Sequence, residues 1–181
     1  PYTTLFRSVA DVSAPVSNVG EQWTGLAYDH TNGVAVGVAN TGLVAEVDLT
    51  NGSLSTQSTL TPAWQAVAVH PSTGRVYAVA PDGGNGADLY RLDRVGGGWQ
   101  ALLLGNLDGV VRGLAADDDR WDADFDDGTG DLYLNALEDD GGGGSALVTR
   151  LIDLDPSATP GNPIESRVVV SGTSASALAV A

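Results

Sequence analysis

The chain has 181 residues and a formal charge of −15, from 8 Lys+Arg against 23 Asp+Glu, and every basic side chain is an arginine. Such a surface repels phosphate backbones and anionic lipid headgroups, which argues against nucleic-acid binding and membrane insertion. With 0 cysteines, disulfides, Cys-ligated zinc and thiol nucleophiles are excluded, and no apolar run reaches the roughly 18 residues of a membrane span.

Residues 1–8, PYTTLFRS, fit no strand or helix period that continues beyond them. Their codons can be written as the end of a common short-read sequencing adapter. The octet resembles such an adapter translated in frame, and is expected to be a non-native tail on a metagenomic sequence. The native N-terminus, with any signal peptide, is then expected to lie outside the sequence. Residues 9–20, VADVSAPVSNVG, are expected to form the outer strand of an incomplete blade.

From Trp23 onward the chain repeats itself. WTGLAYDH from Trp23, WQAVAVHP from Trp64, VRGLAADD from Val111 and ASALAVA from Ala175 align on Gly25, Ala66, Gly113 and Ala177. About 40–45 residues is the period of one four-stranded propeller blade. Each segment alternates small with large residues, and a period of two means a strand. Gly25, Ala27, Ala66, Ala68, Gly113, Ala115, Ala177 and Ala179 form the small side. Small residues suit an innermost strand, where sheets crowd about an axis.

Each first strand is followed by a turn (HTNG, HPSTG, DDGTG) and a second strand from Val34, Arg75 or Asp131. A third strand ends in apolar-Asp at Asp48, Asp93 and Asp153, where the carboxylate is expected to bond its own backbone and start a turn. Fourth strands are predicted near LSTQSTL, WQALLLG and SRVVVSG. No long segment has a 3.6-residue apolar period, so helices should be few.

The pattern LAxD…TGxLYxV…LYRLD…G, over residues 22–181, resembles generic β-propeller repeats of the NHL, YVTN and gluconolactonase-like kinds. The expected fold is all-β: a partial propeller of about three four-stranded antiparallel blades plus two incomplete edge blades. The blades are placed at about 22–61, 62–105 and 109–171, with the next beginning at 174–181, all within a single incomplete propeller domain spanning 9–181. A β-sandwich or β-solenoid is the alternative. Three blades cannot close the ring of about 4–8 that propellers form, so self-association of this fragment is expected.

The propeller resemblance implies a ligand site at the channel mouth. Trp23, Thr24, Trp64, Gln65, Arg112 and Ser176 are the candidates there. Thr24, Gln65, Arg112 and Ser176 occupy one equivalent column, and the Arg112 guanidinium can clamp a carboxylate. The competing reading makes these groups solvated strand ends, with Trp23 and Trp64 packed between blades. His30 and His70 fall in matching turns, where a metal or proton relay competes with a hydrogen bond to the local backbone.

The loop ADDDRWDADFDDGTGDLYL crowds carboxylates that a cation would relieve. Oxygen ligands beside a glycine turn favour Ca²⁺. Asp122, Asp124, Asp126, Asp127 and Asp131 resemble the calcium loop of FG-GAP propellers, with one extra residue, Asp127, before Gly128. An unliganded acidic insertion is the other reading. Ca²⁺ is the one cofactor expected.

Two functions follow. The first is a fragment of a secreted or surface propeller, extracellular or periplasmic, that binds a small polar ligand or a protein partner and has no catalytic activity of its own. The alternative is a metal-dependent sugar-lactone or ester hydrolase of gluconolactonase-like type, its site completed by blades beyond this sequence. No catalytic residue is assigned; G-x-S-x-G is absent, and a phosphate-binding loop ending in Gly-Lys needs a lysine.

Overall fold

A computed structural model describes residues 21–70, 73–84, 86–107, 110–116, 131–139, 145–153 and 166–171, the last four stretches as backbone. The regular elements among them are strands. They are β1 (Trp23–Asp29), β2 (Val34–Ala39), β3 (Leu43–Val47), β4 (Leu54–Thr59), β5 (Ala66–Val69) and β6 (Val76–Pro81). β7 (Ala87–Val95), β8 (Gly98–Leu107), β9 (Val110–Ala116), β10 (Asp131–Asp139), β11 (Ser145–Asp153) and β12 (Ser166–Ser171) follow. They form three four-stranded sheets, in the orders β1-β2-β3-β4, β5-β6-β7-β8 and β9-β10-β11-β12. Every described pairing is antiparallel. The expected edge segments, 9–20 and 174–181, lie outside the described residues.

The first strands meet: β1 packs on β5, and β5 packs on β9. The outer strands β4 and β8 touch more sparsely. Sheets that converge along their first strands and splay outward are propeller blades, not the two stacked layers of a sandwich. The small side of β1 explains the approach. A Cβ at Gly25 would lie 3.0 Å from both Val67 N and Val67 Cγ1 and 3.3 Å from Ala66 Cα, so a larger residue would force these strands apart.

Strand burial follows the same logic. β5 is flanked on both sides and is buried at all four positions, whereas β1 alternates partly buried and exposed. The core between the first two sheets joins Val36, Val38 and Val44 of one to Val67, Val69, Val76, Ala78, Ala80, Leu92 and Trp99 of the other, with Trp64 between them. Each large aliphatic side chain so buried contributes about 1.5–3 kcal/mol of transfer free energy.

Side-chain oxygens set several turns. Asp48 accepts the Thr50 N–H at 2.7 Å and the Asn51 amide at 3.0 Å, as expected of an aspartate closing a third strand. Asp93 departs from that expectation. β7 runs on to Val95, and Asp93 pairs with Gln100 inside the β7–β8 ladder. Its carboxylate instead holds Arg91, at 2.9 Å and 3.0 Å. The hairpin here turns at Gly96–Gly97, three residues beyond the aspartate, so no Asp-initiated turn is needed.

Candidate functional site

At one end of the sheets lie the chain entering β1, the β2–β3 turn, the chain entering β5 and the β6–β7 loop. Here the Asn40 amide donates to Gln22 Oε1 at 2.7 Å, and the Thr41 hydroxyl donates to Glu21. In the second sheet, Asp82 Oδ1 accepts Gly84 N–H at 2.7 Å and Gly86 N–H at 3.2 Å. Asn106 Nδ2 bridges Asp82 Oδ2 at 3.3 Å and Asp88 Oδ1 at 3.1 Å. The Gly84 N–H, with help from Asn106 and Gly86, holds the Asp82 carboxyl below its ordinary range. Tyr90 lies 3.4 Å from Asp88 Oδ2, and burial together with that carboxylate raises its phenol. The result is a rim of ordered, solvent-facing carboxylates and amides.

The sequence candidates divide within this end. Thr24 and Trp64 come together: the Thr24 hydroxyl donates to Trp64 O at 2.9 Å, tying the first sheet to the second. Trp64 is only 1% exposed. Its indole N–H donates to Gly42 O at 3.1 Å, and its ring meets Tyr90 edge-on at 5.3 Å. Trp64 is therefore a packing and latching group with its polar atom satisfied. Trp23 lies over Gly37, where a Cβ would come within 2.6 Å of its ring. Gln65 donates its backbone N–H to Val79 O at 2.8 Å, while its buried Oε1 accepts no hydrogen bond.

Arg112 lies in β9 and Asp131 opens β10, where it pairs in register with Asp153. Ser176, Asp122, Asp124, Asp126 and Asp127 lie outside the described residues. His30 is exposed and meets Tyr28 edge-on at 4.7 Å. His70 is buried and accepts the Thr73 N–H at Nδ1, 3.3 Å away, within its own turn.

A second polar cluster, at the opposite end, has no counterpart among the sequence candidates. Arg94 donates from Nη2 to Asp29 Oδ2 at 2.7 Å and from Nε to Glu46 Oε1 at 2.6 Å. The guanidinium carbon sits 4.6 Å from the Trp99 ring centroid. Asp29 is fully buried, and it also accepts from Thr31 N–H, Asn32 N–H and the Asn32 amide. Burial pushes the Asp29 carboxyl up, but the bonds from Asn32 and Arg94 outweigh it and hold it below its ordinary value. At Glu46 burial is likewise overcome, by the Thr56 hydroxyl, Arg94 and Ser55. Arg94 thus pins the second sheet to two strands of the first. Asp29 and Arg94 are 65 residues apart, and no local motif connects them.

No family model matches the chain, and no curated protein sequence matches it. The fold defines a partial β-propeller. Among solved structures, the chain is similar to the β-propeller domain of Cps50 (Swd1) from Myceliophteria thermophila, at 12% identity and a TM-score of 0.45, with 83% of this chain covered. The chain spans 58% of the length of that domain's chain.

Proposed function

We propose that the chain is part of a secreted or surface β-propeller that acts as a binding module, taking a small polar ligand or a protein segment at the end that carries Asp82, Asp88 and Asn106. The supporting observation is the rim itself. Two carboxylates are fixed facing solvent by one amide bridge and two loop N–H groups. Groups already ordered before binding lose little conformational freedom when a partner arrives. Carboxylates only accept hydrogen bonds when ionised, so the rim selects donors: guanidinium, ammonium or hydroxyl groups.

The test is calorimetric titration with an arginine-rich peptide and, separately, with neutral disaccharides. Binding of either class is expected, and the double change Asp82→Asn with Asp88→Asn should weaken it about tenfold, or about 1.4 kcal/mol. Peptide binding should also fade as salt is raised. Binding that ignores both substitutions, or no binding of either class, sinks the reading.

Calcium belongs to the same proposal. Asp122, Asp124, Asp126, Asp127 and Asp131 supply the hard oxygen ligands that Ca²⁺ takes. A cation held by the folded state alone stabilises it by mass action. Millimolar calcium is expected to raise the thermal midpoint over that in chelator, and Asp124→Asn to reduce the rise. An unchanged midpoint removes calcium from the proposal.

A further inference from the structure

Asn51-Gly52-Ser53 lies in the turn between β3 and β4 and belongs to neither the rim nor the Arg94 cluster. It is an Asn-x-Ser triplet whose middle residue is not proline, the acceptor pattern for an N-linked sugar. No other asparagine of the chain has Ser or Thr two residues on with a non-proline residue between. Asn32-Gly33-Val34, in the turn between β1 and β2, shares the Asn-Gly start but lacks the hydroxyl residue.

The turn presents the triplet to solvent. Asn51 and Ser53 are exposed, and Gly52 between them is buried with φ of +72°. The first four strands pair in sequence order, so this turn lies at the end opposite the β2–β3 turn and the rim. The Asn51 carboxamide is bonded through both of its polar atoms. Its Oδ1 accepts the Ser53 N–H at 2.8 Å, and its Nδ2 donates to Asp48 Oδ2 at 3.0 Å. Asp48 N–H donates to Ser53 O at 2.9 Å and Gly52 N–H donates to Asp48 O at 2.7 Å, which closes the turn around it. A primary amide carries two N–H hydrogens, and the bond to Asp48 uses one. A sugar in place of the other leaves a secondary amide with its oxygen acceptor and one N–H. The substituted side chain therefore retains the groups that make both bonds.

We propose that Asn51 is the acceptor of an N-linked oligosaccharide. This rests on the secreted or surface reading above, because the sugar is added to chains that leave the cytosol. In the transfer, Asn51 Nδ2 forms a bond to the anomeric carbon of a lipid-diphosphate-linked oligosaccharide. The bond from that carbon to the diphosphate oxygen breaks, the lipid diphosphate leaves with its electron pair, and the amide proton passes to a base of the transferase. Nothing is oxidised or reduced. A turn tied by four hydrogen bonds does not open readily, so transfer belongs to the chain before β3 and β4 pair, and folding then fixes the sugar outward, away from the rim.

The test is translation of the whole chain, behind an added leader, into microsomes that hold a lipid-linked oligosaccharide. Product protected from added protease should carry one glycan. Asn51→Gln and Ser53→Ala should each abolish the added mass, and Ser53→Thr should keep it. Enzymatic removal of the glycan leaves an aspartate in the acceptor's place, so peptide masses should mark position 51 and leave Asn32 unchanged. Because both turn bonds survive, the glycosylated chain should melt within about 2 °C of the unmodified one. A chain that never enters the microsomes overturns the secreted reading and this proposal with it. A chain that enters and gains no sugar, or a glycan that persists in Asn51→Gln, overturns this proposal alone.

Discussion

Replacing Gly42 by alanine is expected to lower the unfolding free energy by about 4 kcal/mol, at the upper end for a single substitution. Gly42 has φ of +89°. A Cβ there would lie 1.9 Å from Leu60 O, which is backbone and has nowhere to swing. The Gly42 carbonyl also accepts two bonds, from Leu60 N–H at 2.9 Å and from the Trp64 indole at 3.1 Å. Any shift that relieves the clash therefore disturbs the fourth strand of one sheet and the latch of the next. Gly33 is the control. Its φ is +70°, but nothing lies within 4 Å of its absent Cβ. Gly33→Ala should cost only the backbone term, about 1 kcal/mol. At about 2–4 °C per kcal/mol for a chain of this size, Gly42→Ala should melt about 8–16 °C lower than wild type. Equal losses at the two glycines would mean that the β2–β3 turn is not the tight junction described.

Arg94→Met is expected to cost about 3 kcal/mol at neutral pH, because it strips the cation from a buried carboxylate while keeping most of the side-chain volume. The pH dependence identifies the cause. Asp29 and Glu46 titrate below their ordinary values in the folded chain. Between the folded and unfolded values the unfolded chain binds more protons. The stability these groups supply is therefore complete above the unfolded values and is lost as pH falls through the folded ones. In Arg94→Met the part of the depression that Arg94 supplies is relieved, while the bonds from Asn32 and Thr56 remain, so less is left to be lost. The gap between wild type and variant should narrow as pH drops below about 4. Denaturant melts at neutral pH and near pH 3 measure it; a constant gap would assign the loss to packing against Trp99 instead.

The blades were legible because their cause is local. Alternation at Gly25–Ala27 and Ala66–Ala68 is a strand signal in any context, and its repetition fixes where each sheet begins. The turn at Asp48 could be read for the same reason, since its partners are two and three residues away. Asp93 misled because the same local cue sits inside a longer hairpin, whose length depends on pairing with β8. The position of Trp64 at the start of a first strand suits both a mouth residue and a packed one. Sequence alone does not distinguish them, because its burial depends on Val36, Val38 and Val44 in the neighbouring sheet. The Asp29–Arg94–Glu46 cluster is the extreme case, brought together only once two sheets have docked. The rim had a partial signal in the Asp-Gly-Gly of the β6–β7 loop, but Asn106 comes from the far end of β8 and carries none.

The Trp64 indole reaches back along the chain, from the threshold of one sheet to a carbonyl in the turn of the sheet before it. The direction matters during synthesis, when the ribosome releases the chain N-terminus first. The acceptor turn is out of the ribosome before the tryptophan emerges, so the second sheet docks on a partner that is already available.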